Sequence, residues 1–245
     1  MHAQSSITAV FVLMVLNTQP AFAVDAVYDV AVAGVGVGKA TLSVTPAGKT
    51  YTATLTGKYG FLFYSGSFSM ASRGTLAKGK PTPKTYEQSV RGDEDSSVTI
   101  SLKAGKVVDV VIVPTPKSPE EEGRVLVTEA HRTGVQDPLS AIVMQSFKAA
   151  QSADAACSGS LPIFAGLSRI NVTLVPAGER NGDVLCQAKF EPVSGYRPAN
   201  KNMRRLAASD EIRIAFPATG DAAIRLPSFI SVPLKIGTLT IELRR

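Results

Sequence analysis

The chain has no tryptophan, two cysteines and two histidines in 245 residues, and each scarcity removes a class of function. Zinc sites need clustered His and Cys, and Cys157 and Cys186 lack C-x-x-C spacing. After His2 the only histidine is His131, so an imidazole general base has a single source. No G-x-S-x-G elbow is present. "GVGVGKAT" (Gly34–Thr41) fails as a phosphate loop: Ala33 stands five before Gly38 and Ala40 follows Lys39. The sequence thus calls for no cofactor and no metal. The one catalytic arrangement left is a hydrolase using His131, Ser140 and an acid, and nothing in the pattern supports it. The expectation is a protein that is not an enzyme.

Also missing is an apolar run long enough to cross a membrane. Ile7–Leu16 is about half the ~20 residues a spanning helix requires. It suits the apolar core of a secretory signal, and Ala21-Phe22-Ala23 supplies a small-x-small cleavage pattern. The reading is a signal peptide over 1–23 and one β-rich domain over 24–245. The n-region departs from the rule, since it carries no Lys or Arg. Export implies the periplasm and an oxidising space, where two thiols tend to pair. A disulfide between Cys157 and Cys186 is the expectation, with reduced thiols, or redox or metal chemistry, as alternatives.

The formal net charge is +6, but the basic residues are scattered, with adjacent pairs only at Arg204-Arg205 and Arg244-Arg245. No nucleic-acid partner is expected; after export the nearby polyanions are envelope lipids.

What the chain has in abundance is Gly, Pro, Val, Thr and Ile at period two. Strands are expected near 26–34, 37–45 and 50–57, then through "TYEQSVRG", "DSSVTISLK" and "KVVDVVIVP". Gly66 reads as a bulge. Residues 114–136 are Pro-rich and charged and read as a long exposed loop, with Glu120–Glu122 a solvated turn. Asp137 and Pro138 then open a helix: an N-cap followed by proline at the first helical position. Leu139, Ile142, Val143 and Phe147 fall on one face of it. Strands resume from Leu161 to the C-terminus, with a loop over "GYRPANKNMRRLAAS". The fold class is mainly β: a strongly curved antiparallel sheet, half-barrel or barrel, with one helix packed on it.

"YGFLFYSG" (Tyr59–Gly66) sets large side chains on both faces of a strand. Either both faces are covered or one lines a cavity. A pocket for an apolar ligand would be lined by Phe61, Phe63, Leu139, Val143 and Phe147.

Several segments together resemble the DUF3108 family of exported bacterial proteins. They are "YDVAVAGVGVGKATLSV", "DPLSAIVMQSF" for the family's D-x-L-S-A helix, "GDVLCQAKFEPVSGY" and "FPATGDAAIRLPSFISVPLKIGTLTIEL". The resemblance implies a curved, barrel-like antiparallel sheet, similar to periplasmic lipoprotein carriers that enclose an apolar cavity beneath a helix. Relatives often carry the same two cysteines, which supports the pairing. One stretch departs: Phe164-Ala165-Gly166-Leu167 stands where an F-D-G-R type sequence is expected. The leading reading is an exported envelope protein that binds a lipid or other apolar ligand in a concave sheet. The alternative is a non-catalytic envelope scaffold that meets a protein partner through exposed loops at 114–136 or 195–207.

Overall fold

Alternating residues at the start of the chain build a meander of seven strands. The computed structural model describes residues 22–61, 64–219 and 222–244. The meander comprises β1 (Val24–Val32), β2 (Val35–Ala47), β3 (Thr50–Phe61), β4 (Tyr64–Ala77), β5 (Lys80–Arg91), β6 (Ser96–Lys103) and β7 (Lys106–Val113). Six more follow a long connection: β8 (Ser160–Phe164), β9 (Arg169–Arg180), β10 (Asp183–Ser194), β11 (Arg213–Phe216), β12 (Phe229–Leu234) and β13 (Gly237–Leu243).

These strands form one antiparallel sheet in the order β7-β6-β5-β4-β3-β2-β1-β13-β12-β11-β10-β9-β8. The first and last strands therefore pair at its middle, with Tyr28 opposite Leu243. The mainly β, antiparallel expectation holds; the sheet is open, with β7 and β8 as its edges.

Tight turns set the register. Ala33-Gly34, Lys78-Gly79, Ala104-Gly105 and Asn181-Gly182 all have positive φ at both residues, the two-residue geometry that matches strand twist. Curvature comes from glycines inside strands. A Cβ on Gly38 would lie 2.2 Å from the Lys58 carbonyl oxygen, and one on Gly74 would lie 2.2 Å from that of Thr82. Neighbouring strands pass closer there than any side chain permits. Gly66 is not a bulge, because β3 and β4 stay in register through it. It lies opposite Tyr59, whose ring covers the space a side chain would fill.

The connection carries α1 (Pro119–Glu122), a 3-10 turn at Ala130–Arg132, α2 (Pro138–Gln151) and α3 (Ala153–Ala156). Helix α2 contacts β3, β4, β5 and β8. Leu139 and Val143 join a core cluster with Leu42, Val44, Tyr51 and Ile100. Ala141 and Ala149 join a second cluster with Leu161, Leu174, Ala188 and Phe216. Both flanks of the helix are therefore buried, one against each half of the sheet. It fills the concavity rather than lying across its opening.

Residues 133–136 strap the two sheet edges together. Lys106 of β7 bridges Thr133, and the Val135 N–H donates to the Gly105 carbonyl at 3.0 Å. The Gln136 N–H donates to Pro162 O, and Gln136 O accepts from the Phe164 N–H, both at 2.8 Å. Nearby, a Cβ on Gly166 would come within 2.8 Å of Val98 Cγ1, so the turn after β8 packs on β6. The stretch that departs from the expected family pattern is thus the seam of the curled sheet.

Three more expectations change. The segment 114–136 is not all exposed: Val135 is buried, and Glu122 sits between Arg124 and Arg197. The loop after β10 contains a helix, α4 (Lys201–Ala207), capped by the Asn200 side chain. The strand expected through Ile224 begins only at Phe229, after Pro227, which has no N–H to give a ladder. Residues 1–21 of the expected signal segment, and Phe63, lie outside the described residues.

Candidate functional site

The start of α2 is held by a fully buried polar cluster. Asp137 caps the helix, with Oδ1 accepting from the Ser140 N–H at 2.9 Å. Oδ2 accepts from the Ser72 hydroxyl at 2.8 Å and from the Ser140 hydroxyl. The Tyr51 hydroxyl lies 2.6 Å from Ser140 Oγ and 3.1 Å from Ser72 Oγ. Two hydroxyl protons and the helix N–H groups thus serve one carboxylate, the Tyr51 hydroxyl backs the two serines, and no cation lies in the cluster. Burial pushes the Asp137 carboxyl above its usual range, and the Ser140 and Ser72 hydrogen bonds partly offset this. Burial, with the Asp137 charge adding, pushes the Tyr51 hydroxyl up to about 12.

This cluster gives D-x-L-S-A a physical meaning. Asp137, Leu139, Ser140 and Ala141 are each at most 2% exposed. Asp and Ser lock the helix to β3 and β4, Leu faces one core cluster and Ala the other. The Ser140 hydroxyl is committed to this network, whereas His131 Nδ1 accepts from the Thr128 N–H.

Of the five expected pocket residues, the structure brings Leu139, Val143 and Phe147 together in the first core cluster, with Val143 wholly buried. Phe61 ends β3, and Phe63 lies outside the described residues. The apolar space is on the opposite flank of the same helix. A pocket of about 180 Å³ has Pro138, Ala141, Ile142 and Gln145 of α2 on one side. Leu161, Leu174, Ala188 and Ile214, from β8 to β11, lie on the other. Arg213 is the one charged residue in its lining. Inward positions of β9 and β11 showed this only as ordinary period two. Gln145, a polar residue amid apolar neighbours on α2, was the available signal.

Gln145 is 2% exposed. Its Nε2 donates to Ala155 O at 3.1 Å and Ala156 O at 2.5 Å, which fixes the amide's orientation. Its Oε1 has no partner. The next residue, Cys157, is bonded to Cys186 of β10 with Sγ atoms 2.03 Å apart. The wall behind the pocket is therefore tied twice: by Gln145 to α2 and by the disulfide to the sheet.

A larger concavity of about 700 Å³ lies over β2–β4, beside Lys39, Lys58, Thr41 and Thr56. It is an open trough, with the two lysines directly paired across the strands. A third, of about 280 Å³, lies where the 114–136 segment meets the turn after β10. There Val125 and the 195–196 backbone exchange hydrogen bonds at 2.8 and 2.9 Å, and Arg197 pairs with Glu122 at 2.5 Å. The two loops expected to act separately are one joined surface. The Arg124 hydrogen bond holds the Glu122 carboxyl below its usual range.

An open antiparallel sheet curled around a buried helix, with an apolar pocket between them, defines the class of protein. The chain matches the family model described as "Protein of unknown function (DUF3108)" over residues 27–244, and it belongs to that family. No curated protein and no solved structure matches it. No helix among the described residues is long and apolar enough to cross a membrane.

Proposed function

We propose that this protein is an exported, non-catalytic binder of an apolar ligand, held between α2 and the concave face of β8–β11. The observation that carries the reading is the pocket itself, lined by aliphatic side chains from six elements, α2 and β8 to β12. Its volume of about 180 Å³ is near the ~150 Å³ that suffices for one benzene ring in an apolar cavity. It therefore takes a ring or the end of an acyl chain, not a whole lipid. The disulfide supports an oxidising compartment, and the apolar run at Ile7–Leu16 supports export to it. Native mass spectrometry of the chain purified from the periplasm without detergent tests this. A co-purifying apolar mass is expected, and Ala188→Leu, which extends a side chain into the pocket, should lose it while remaining folded. A bare polypeptide that also takes up no added apolar probe would overturn the reading.

A second reading, a scaffold for a protein partner, draws on β7. That edge strand carries the exposed Val108, Val111 and Val113. Unpaired apolar edges invite strand addition. Pull-down by the wild type but not by a Val111→Lys variant, with no retained ligand, would favour it.

A further inference from the structure

We infer that the pocket is made for an apolar ligand whose buried end carries a hydrogen-bond donor, a hydroxyl, and that Gln145 Oε1 is its acceptor. This rests on the reading of the pocket as a ligand site and adds the chemistry that selects the ligand.

The argument begins with the amide. Both groups facing Gln145 Nε2 are backbone carbonyls, which only accept, so the NH₂ must point at them. Oε1 is then directed away from α3, and it is buried without a partner in a residue that lines the pocket. A buried acceptor left unmade is unfavourable. The rest of the helix-facing lining is Pro138, Ala141 and Ile142, which offer no side-chain donor. Arg213 turns its Nη1 to the Asp210 and Ile212 carbonyls, and none of its donors reaches Gln145 Oε1.

Ligand classes sort accordingly. A hydrocarbon fills the space and leaves Oε1 bare. An ester or ether brings another acceptor and no donor. A carboxylate brings a charge to an acceptor. A hydroxyl on an apolar frame satisfies both the lining and the amide. Sites that require a hydrogen-bonding group reject analogues that lack it more strongly than apolar sites reject an extra methylene.

The test uses toluene, phenol and anisole, titrated into the folded, oxidised protein and followed by NMR. Toluene and phenol have nearly one shape, so the ratio of their dissociation constants reports the hydroxyl. Comparing that ratio between the wild type and Gln145→Met cancels transfer from water. The preference for phenol is expected to fall about tenfold in the variant, the scale of one buried hydrogen bond. An unchanged ratio, with both probes still binding, overturns the inference and leaves the pocket standing. Absence of binding by all three probes overturns the pocket reading as well. If Gln145→Met does not fold, the wild type decides alone. Phenol should bind more tightly than anisole, although anisole is the less water-soluble; the reverse order overturns the inference.

Discussion

Tyr51 and Ser140 are 89 residues apart in sequence, and their hydroxyl oxygens lie 2.6 Å apart in the core. This contact joins β3 to the first turn of α2. Removing the Ser140 hydroxyl leaves the Tyr51 hydroxyl only its longer contact with Ser72 Oγ, at 3.1 Å, and takes a donor from Asp137. Ser140→Ala should cost about 1–3 kcal/mol. Tyr51→Phe, which removes the donor and leaves Ser140 its bond to Asp137, should cost less, about 1 kcal/mol. Urea unfolding of the two single variants and the double variant checks this. Additive losses would show that the hydroxyls do not act together.

Asp137 makes stability depend on pH. Its folded carboxyl titrates above its usual value of 3.8, so between the two values the folded chain binds more protons than the unfolded one. Stability from this group is therefore greatest in acid and declines as pH rises from about 4 through the folded value. Asp95, Glu122 and Glu129, which are shifted downward, act in the opposite sense. The comparison is thus with Asp137→Asn, which keeps the helix cap and lacks the titration. The difference, variant minus wild type, should increase with pH over that window and then level off. A difference that stays flat from pH 3 to 8 would contradict the raised carboxyl.

The disulfide closes a separation of 29 residues. Cys157→Ala with Cys186→Ala should lower stability by about 3–4 kcal/mol if the unfolded chain's closed loop is the main term. The same cystine anchors the segment that Gln145 grips, so pocket occupancy should fall with it. Equal denaturation midpoints in oxidised and reduced samples would exclude the staple.

Ala104 has φ of 51° at an exposed hairpin turn. A left-handed alanine costs roughly 1–2 kcal/mol, and asparagine is the side chain that best tolerates that region. Ala104→Asn should raise stability by about 0.5–1 kcal/mol, read as a higher melting temperature.

Strands and the helix cap were legible in the sequence because each has a local cause. Asp137-Pro138 is a start signal within two residues, and "KVVDVVIV" is a β-branched run broken only at Asp109. The pocket was not legible for a related reason. Leu139, Val143 and Phe147 announce a face, but a helix enclosed by a curled sheet has two buried flanks, and small residues such as Ala141 and Ala188 leave the space. Alanine on a helix reads as filler until the opposing wall is known. Helix α4 is hidden in the sequence because its cap, Asn200, stands in a segment with the polar composition of a loop. The strap at 133–136 has no local signature; it exists only because both sheet edges arrive beside it.

Pairing β1 with β13 also fixes when the sheet can be completed at its middle. β1 keeps one side bare until β13 arrives, more than 200 residues later. A nascent chain that ends before β13 therefore carries the bare side of β1, joined by the bare side of β12 once that strand is made, at what will become the middle of the sheet. A chain ended after Leu234 is expected to collect in the insoluble fraction, while a chain carrying β13 stays soluble. During synthesis β13 acts as a key, and custody of the unfinished sheet falls to whatever holds it until that strand emerges.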